Sequence, residues 1–274
     1  MLKQKLIKFG IRIYLKHPIL QPYLAFINRT FFKPKFSGWG MTTEAELPWD
    51  DEYGSDIFRR ASEDFKKNFE FSKISAYPNN VDTLLWRHWI VSYAVRHAIE
   101  FAETNIYNFV ECGVGDGFSA FFAMREILNH KKIAKQFSMH LYDSWSAMRK
   151  QGLLESELNY LGQYAVLDIN RTKRNLSEFK DNAIYHQGYI PESFTALPKA
   201  PSSIIYLAID LNSAKPTSDT LDFFFPRLVK GGIILFDDYG HIGYTDTKKI
   251  TDKFFSDKPG ILLKLPTGQA IYYH

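Results

Sequence analysis

Seven short apolar runs constrain this chain more than any other feature. They lie at residues 106–112, 137–142, 183–187, 203–209, 231–236, 261–265 and 269–273. Helical stretches separate most of them, and alternating strands and helices build a doubly wound parallel sheet. The last two runs differ, because only Pro266-Thr267-Gly268 joins them. That turn is too short for a crossover helix, so these two runs must pair antiparallel as a hairpin. The expected fold is therefore α/β: a doubly wound, mostly parallel seven-stranded sheet, Rossmann-like, with a C-terminal antiparallel hairpin. Five parallel strands closed by a hairpin depart from the plain dinucleotide-binding arrangement. An amphipathic helix is expected over residues 82–104, with Asp82 as its N-cap.

The expected division is an N-terminal extension over residues 1–80 and a cofactor-binding domain over residues 81–274. Residues 1–40 carry eight Lys or Arg and no Asp or Glu. The remaining 26 basic residues face all 30 acidic ones, so the net charge of +4 belongs to the extension. That distribution gives the domain no reason to bind nucleic acid. Residues 2–16 read as a helix with Lys5, Lys8, Arg12 and Lys16 in one stripe, ended by Pro18. Such a helix suits peripheral contact of residues 1–17 with an anionic membrane. It equally suits packing on the domain or on a second subunit in a homo-oligomer. Basic residues interrupt its apolar stretch and no small-residue cleavage site follows, so it does not read as a signal peptide. Residues 33–56, rich in Gly, Pro, Trp and acids, read as a loop or lid. No run approaches the roughly 20 apolar residues of a membrane span. The single cysteine, Cys112, excludes an intrachain disulfide or a multi-cysteine zinc site. A cytoplasmic protein is expected, with the inner face of a membrane as the place of any peripheral contact.

In an open α/β sheet, ligands bind beyond the carboxyl ends of the strands. Three acidic segments occupy that rim. The first is Glu111-Cys112-Gly113-Val114-Gly115-Asp116-Gly117. Its glycines let backbone approach a ligand closely, and the following helix offers free amides. The spacing G-x-G-x-G differs from the G-x-G-x-x-G of nicotinamide enzymes. Glu111 would repel a pyrophosphate but can accept a hydrogen bond from a ligand ammonium. Cys112 reads as a small buried residue beside the ligand rather than a nucleophile. The second segment is Asp143-Ser144-Trp145. An acid there can accept from both hydroxyls of a ribose, and Trp145 could cover an adenine. Asp143 could instead serve only as an N-cap.

The third segment combines Asp210 with Asp237 and Asp238. These acids end neighbouring strands about 4.8 Å apart, and clustered carboxylates repel. A hard divalent cation such as Mg²⁺ removes the repulsion and can lower the pKa of a bound hydroxyl. N-capping and ion pairs with Lys or Arg are the other account of the cluster. His241 could be a general base or a solvent-facing loop residue.

Taken together, FVECGVGDG, LYDSW, HQGYIPESF, the IDLN segment and FPRLVKGGIILFDDYG resemble the macrocin O-methyltransferase family. That family belongs to the class I S-adenosylmethionine-dependent methyltransferases. The resemblance runs from about Val110 to Tyr239. It implies that Glu111 and Gly113 face the methionine end of S-adenosylmethionine and Asp143 its ribose. Cys112, Gly115, Gly117, Ser144 and Trp145 complete that set of cofactor residues, with Gly188 and Tyr189 near the adenine. It further implies that Asp210, Asp237 and Asp238 hold the metal, with Asp210 or a nearby His as base. Relatives methylate hydroxyls on sugars of antibiotics and other glycosylated products, and the basic tail of this chain suits an acceptor at a membrane, such as a lipid-linked or surface glycan. Many members carry a second acid where this chain has Asn212. Asn can still ligate through its carbonyl, but it cannot be a base. The rival readings are methylation of a non-sugar, catechol-like hydroxyl and a non-catalytic cofactor-binding subunit. A nicotinamide dehydrogenase is disfavoured by Glu111 and the glycine spacing.

Overall fold

A computed structural model describes residue 49 and residues 55–73, 81–133 and 136–274. The expected basic helix at 2–16 and most of the 33–56 loop lie outside these residues. Two corrections concern the part that is described. Ser55 and Asp56, expected in the loop, begin α1 (Ser55–Asn68). The helix expected at 82–104 is α2 (Val81–Phe101), so Asp82 lies in its first turn rather than at its cap. It stops early because the Glu103 amide leaves the helix to donate to the Lys230 carbonyl at 2.9 Å.

The strands are β1 (Asn108–Cys112), β2 (Ser138–Asp143), β3 (Ala183–Gln187), β4 (Ile204–Ile209), β5 (Leu228–Phe236), β6 (Ile261–Lys264) and β7 (Ala270–Tyr273). They form one sheet in the order β3-β2-β1-β4-β5-β7-β6. The first five are parallel, and β7 runs antiparallel to both β5 and β6. The expected hairpin is therefore present at the expected turn. β5 begins three residues before its apolar run, and its register with β4 shifts between Ile204 and Tyr206. Gly231 sits at that irregularity with φ +78°, where a Cβ would stand 1.9 Å from the Phe101 carbonyl oxygen.

Side chains alternate between the two faces of the sheet with the period of two that strands impose. Phe109, Tyr206, Ala208, Ile233 and Leu235 enter one core with Phe58 and Phe65 of α1, Val95 of α2 and Phe122 of α3 (Phe118–Asn129). Val110, Cys112, Leu207, Ile209, Ile234 and Phe236 enter the other. There they meet Leu221 and Phe224 of α5 (Ala214–Phe224) and Phe255 of α6 (Thr245–Phe255). A short helix α4 (Ile169–Asn175) follows the long excursion after β2. Two layers of helix thus cover a central sheet, as the near-continuous apolar strands require.

Strand order reverses between β1 and β4, which adjoin in the sheet but not in the chain. The ladder continues past the strand ends. Gly113 donates to the Tyr142 carbonyl (2.8 Å), Asp210 to Cys112 (2.9 Å) and Asp237 to Ile209 (3.0 Å). Residues 113, 143, 210 and 237 therefore stand along one rim, at the crevice where doubly wound sheets bind ligands.

Candidate active site

A cleft of about 390 Å³ opens at this rim. Glu111, Gly113, Gly115, Asp143, Ser144, Gly188, Tyr189, Asp210, Asp237 and Asp238 all line it. The structure thus brings most of the residues read from the sequence into a single cavity.

The Gly-rich turn forms one wall. Gly113 has φ +90°, and a Cβ there would lie 1.9 Å from the Asp210 carbonyl oxygen, so only glycine lets β1 and β4 close together here. Nothing stands within 4 Å of a Cβ placed on Gly115, so the turn faces open space at that point. The turn is held from behind. Asp143 accepts from the Gly115 amide (2.8 Å) through Oδ2 and from the Trp145 amide (2.7 Å) through Oδ1. The Val114 and Ser144 amides also donate to this carboxylate. Burial raises the Asp143 pKa, and these backbone donors oppose the rise. Asp116 is 3% exposed and accepts from the Ser72 amide and from Arg171, both at 2.7 Å.

Glu111 is 2% exposed, and its Oε2 has no hydrogen-bond partner among the described residues. Burial, then Asp237 and Asp143, push its pKa well above the usual carboxylate range. A buried carboxylate oxygen without a donor is costly, and a cationic ligand group would relieve it.

Four of the expected site residues do not line the cleft. Trp145 is 6% exposed and turned under the Gly-rich turn, where its Nε1 donates to the Gly115 carbonyl (3.0 Å) and Thr172 Oγ1 (2.9 Å). It is a strut rather than a cover for a base, because its indole N–H finds both acceptors inside. Cys112 points into the core on the other face of the sheet, and burial raises its thiol pKa. Gly117 caps α3 and packs against Leu176 and Thr172. His241 stays exposed at the edge, where its Nδ1 accepts from the Gly243 amide at 3.1 Å. Partial desolvation and Arg87 lower its pKa, and Asp237 opposes them. With Nδ1 engaged as an acceptor, the neutral ring carries its proton on Nε2, which leaves no free basic nitrogen.

Asp210, Asp237 and Asp238 place one carboxylate oxygen each within 4.8 Å of one another. Burial and the neighbouring acids push the Asp210 pKa well up, and burial with Asp237 pushes Asp238 up to about 7. Asn212, which the sequence singled out, is joined in this corner by Gln269 and Arg87, which sequence reasoning missed. Asn212 Nδ2 donates to Asp238 Oδ2 (2.5 Å) and Asp210 Oδ1 (3.2 Å). Gln269 Nε2 donates to Asp237 Oδ1 (3.0 Å), and Arg87 forms an ion pair with the same carboxylate. Arg87 and His88 had a visible signal, two polar residues inside the apolar run Leu84-Leu85-Trp86-Arg87-His88-Trp89. Gln269 had none, since it reads as a hairpin residue.

The excursion after β2 closes the cleft on the remaining side with Met148, Arg149, Leu153 and Tyr164. Arg149 lies over the Tyr189 ring at 4.1 Å, and the Tyr189 hydroxyl donates to the Ala147 carbonyl (2.8 Å). Burial, Asp238 and Asp210 raise the Tyr164 pKa, so its hydroxyl stays protonated beside the acids.

Residues 110–239 match a family described as a methyltransferase domain. The match spans the Gly-rich turn, the excursion and the acid corner. Two solved structures share the fold of this chain. One is the O-methyltransferase NovP, 17% identical, covering 69% of this chain and 80% of NovP with a TM-score of 0.57. The other is CalS11, a calicheamicin methyltransferase, 16% identical, covering 87% of this chain and 98% of CalS11 with a TM-score of 0.57. No curated protein sequence matches the chain. The domain match and the fold support an S-adenosylmethionine-dependent methyltransferase. No helix among the described residues is long and apolar enough to cross a membrane.

Proposed function

We propose that this chain is an S-adenosylmethionine-dependent O-methyltransferase, assisted by a divalent cation, acting on a hydroxyl of a sugar or glycosylated product. One observation carries the reading: a single cleft holds both the Glu111–Asp143 wall and the Asp210, Asp237 and Asp238 corner. The residues suit both groups. The unpartnered Glu111 oxygen suits the cofactor's ammonium, and the Asp143 carboxylate, lining the same cleft, suits its ribose hydroxyls. Three crowded carboxylates are hard oxygen donors that suit Mg²⁺. When bound, the cofactor supplies the electrophilic methyl group, and the cation lowers the pKa of the acceptor hydroxyl.

The chain's own residues do the rest. Gly113 and Gly115 keep side chains out of the cofactor's path. Asp237 and Asp238, with Asp210, hold the cation. Asp210, which lines the cleft at the cation, is placed to take the acceptor proton. His241 fits that role less well, since its Nδ1 is committed to Gly243. The excursion from Met148 to Tyr164 shields the reaction from water. NovP is an O-methyltransferase, which is consistent with transfer to oxygen, and the sugar acceptor rests on the family resemblance.

Calorimetric titration with S-adenosylhomocysteine, using NADH as a control, tests the cofactor. Micromolar binding of S-adenosylhomocysteine alone is expected, and a preference for NADH would overturn the reading. A panel of glycosylated and catechol acceptors, with Mg²⁺ or chelator, then tests the acceptor and the metal. Asp237→Ala is expected to keep S-adenosylhomocysteine affinity and to lose turnover at least about a hundredfold, the scale on which electrostatic groups act in catalysis. Near-normal turnover would remove the metal role.

A further inference from the structure

Every carboxylate of the acid corner is already held by a protein donor. Asn212 serves Asp238 and Asp210. Asp237 is held on both oxygens, by Gln269 at Oδ1 and by the Arg87 guanidinium at Oδ2. Arg87 is anchored there by its other bonds. Its Nη1 donates to the Thr267 carbonyl (2.7 Å), and its Nη2 donates to the Asp237 carbonyl (2.8 Å). The Arg87 and Asp237 side chains are only 23% and 24% exposed, so water screens the pair weakly. Gln269 is 1% exposed and braced against the Arg87 carbonyl at 3.4 Å. A cation arriving at Asp237 therefore meets a fixed positive charge already bound to that carboxylate.

We propose that Arg87 competes with the divalent cation for Asp237 and sets how tightly this site holds metal. The proposal rests on the metal reading above and deepens it. Arg87 supplies part of the charge compensation when the metal is away, and repels the metal when it arrives. The site is then one of weak, readily exchanged metal, unlike a cage of three free carboxylates. The hairpin turn takes part, because Thr267 orients the guanidinium.

The test is Mn²⁺ titration of the full chain, with free Mn²⁺ followed by electron paramagnetic resonance, on wild type, Arg87→Gln and Arg87→Lys. Arg87→Gln removes the charge and is expected to bind Mn²⁺ at least about tenfold more tightly. Arg87→Lys keeps the charge and is expected to stay within about threefold of wild type. Equal or weaker binding by Arg87→Gln overturns the proposal. So does tightening by Arg87→Lys equal to that of Arg87→Gln, which would assign the effect to shape. Mn²⁺ binding that is unchanged across all three forms removes this proposal alone, and no binding in any form removes the metal reading with it. A second measurement needs no variant. In wild type labelled with ¹⁵N-arginine, a buried guanidinium signal is expected to shift as Mg²⁺ saturates the protein, and a constant spectrum overturns the proposal.

Discussion

Glu111 and Gly113 stand two residues apart and meet opposite demands. Glu111 is a buried acid with an oxygen that no described residue serves. A hydrogen bond to a charged partner contributes about 1.5–3 kcal/mol. Glu111→Ala is therefore expected to weaken S-adenosylhomocysteine binding by roughly 10- to 100-fold, read by calorimetry. It should not lower thermal stability, because it removes a buried carboxyl whose Oε2 finds no partner in the empty protein. A large loss of melting temperature with unchanged affinity would assign Glu111 to structure instead. Gly113 behaves in the other way. Its positive φ and the Asp210 carbonyl 1.9 Å from a Cβ leave no room for alanine. Backbone strain of this kind costs about 1–3 kcal/mol before any clash. Gly113→Ala should lower the melting temperature by many degrees in differential scanning calorimetry, and a stable variant would refute the close approach of β1 and β4.

Among the larger elements, the excursion between β2 and α4 is tied to the domain by a buried acid, beside the Tyr160 hydroxyl bond to the Gly243 carbonyl (2.7 Å). Glu157 accepts from the Leu154 amide (3.0 Å) through Oε2 and from the Ala214 amide (2.9 Å) through Oε1. The first bond closes the turn at residues 155–160, and the second satisfies the N-terminus of α5. Glu157 therefore ties the wall carrying Met148, Arg149 and Tyr164 to the helix that follows Asn212. Glu157→Ala is expected to speed amide hydrogen exchange over residues 148–164 by about tenfold or more, since it removes two charge-assisted bonds that support that wall. Exchange rising instead through α3 and β1 would mean that the acid supports the whole domain. The same element shows where local sequence was silent. Nothing in residues 146–167 marks them as a wall of the cleft, because no periodicity runs through them. Their place depends on Glu157 meeting a helix end 57 positions away.

The whole molecule responds to pH through groups buried in opposite states. Asp238 has its pKa pushed up to about 7 from an ordinary 3.8. A carboxyl whose folded pKa is raised binds more protons when folded, so its effect is least unfavourable below about 3.8 and worsens as pH climbs to about 7. His140 and His186, lowered to about 4, and His88, lowered to about 3, act in reverse. They stabilise the fold fully above about 6.5 and lose that stabilisation as pH falls toward those values. The two sets oppose one another between about pH 4 and 6.5. A difference measurement separates them: Asp238→Asn should match wild type near pH 4 and exceed its melting temperature by pH 8 in the absence of metal. Parallel curves for the two proteins across that range would show that Asp238 is not raised.

The sequence by itself determined the seven strands, their order of appearance, the closing hairpin and the acids at the strand ends. These follow from patterns a few residues long: apolar runs, a three-residue turn and glycines before a helix. It also placed Glu111, Asp143, Asp210, Asp237 and Asp238 at one rim, because parallel strands end on the same side. Only the tertiary structure decided how those ends are served. Trp145 turns inward because two acceptors wait beneath the Gly-rich turn, and Cys112 faces away from the cleft because side chains alternate along β1. Arg87 and Gln269 reach Asp237 from positions 150 residues before it and 32 after it. No local pattern encodes such a meeting. It arises when α2 packs across the sheet and the hairpin returns β7 beside β5.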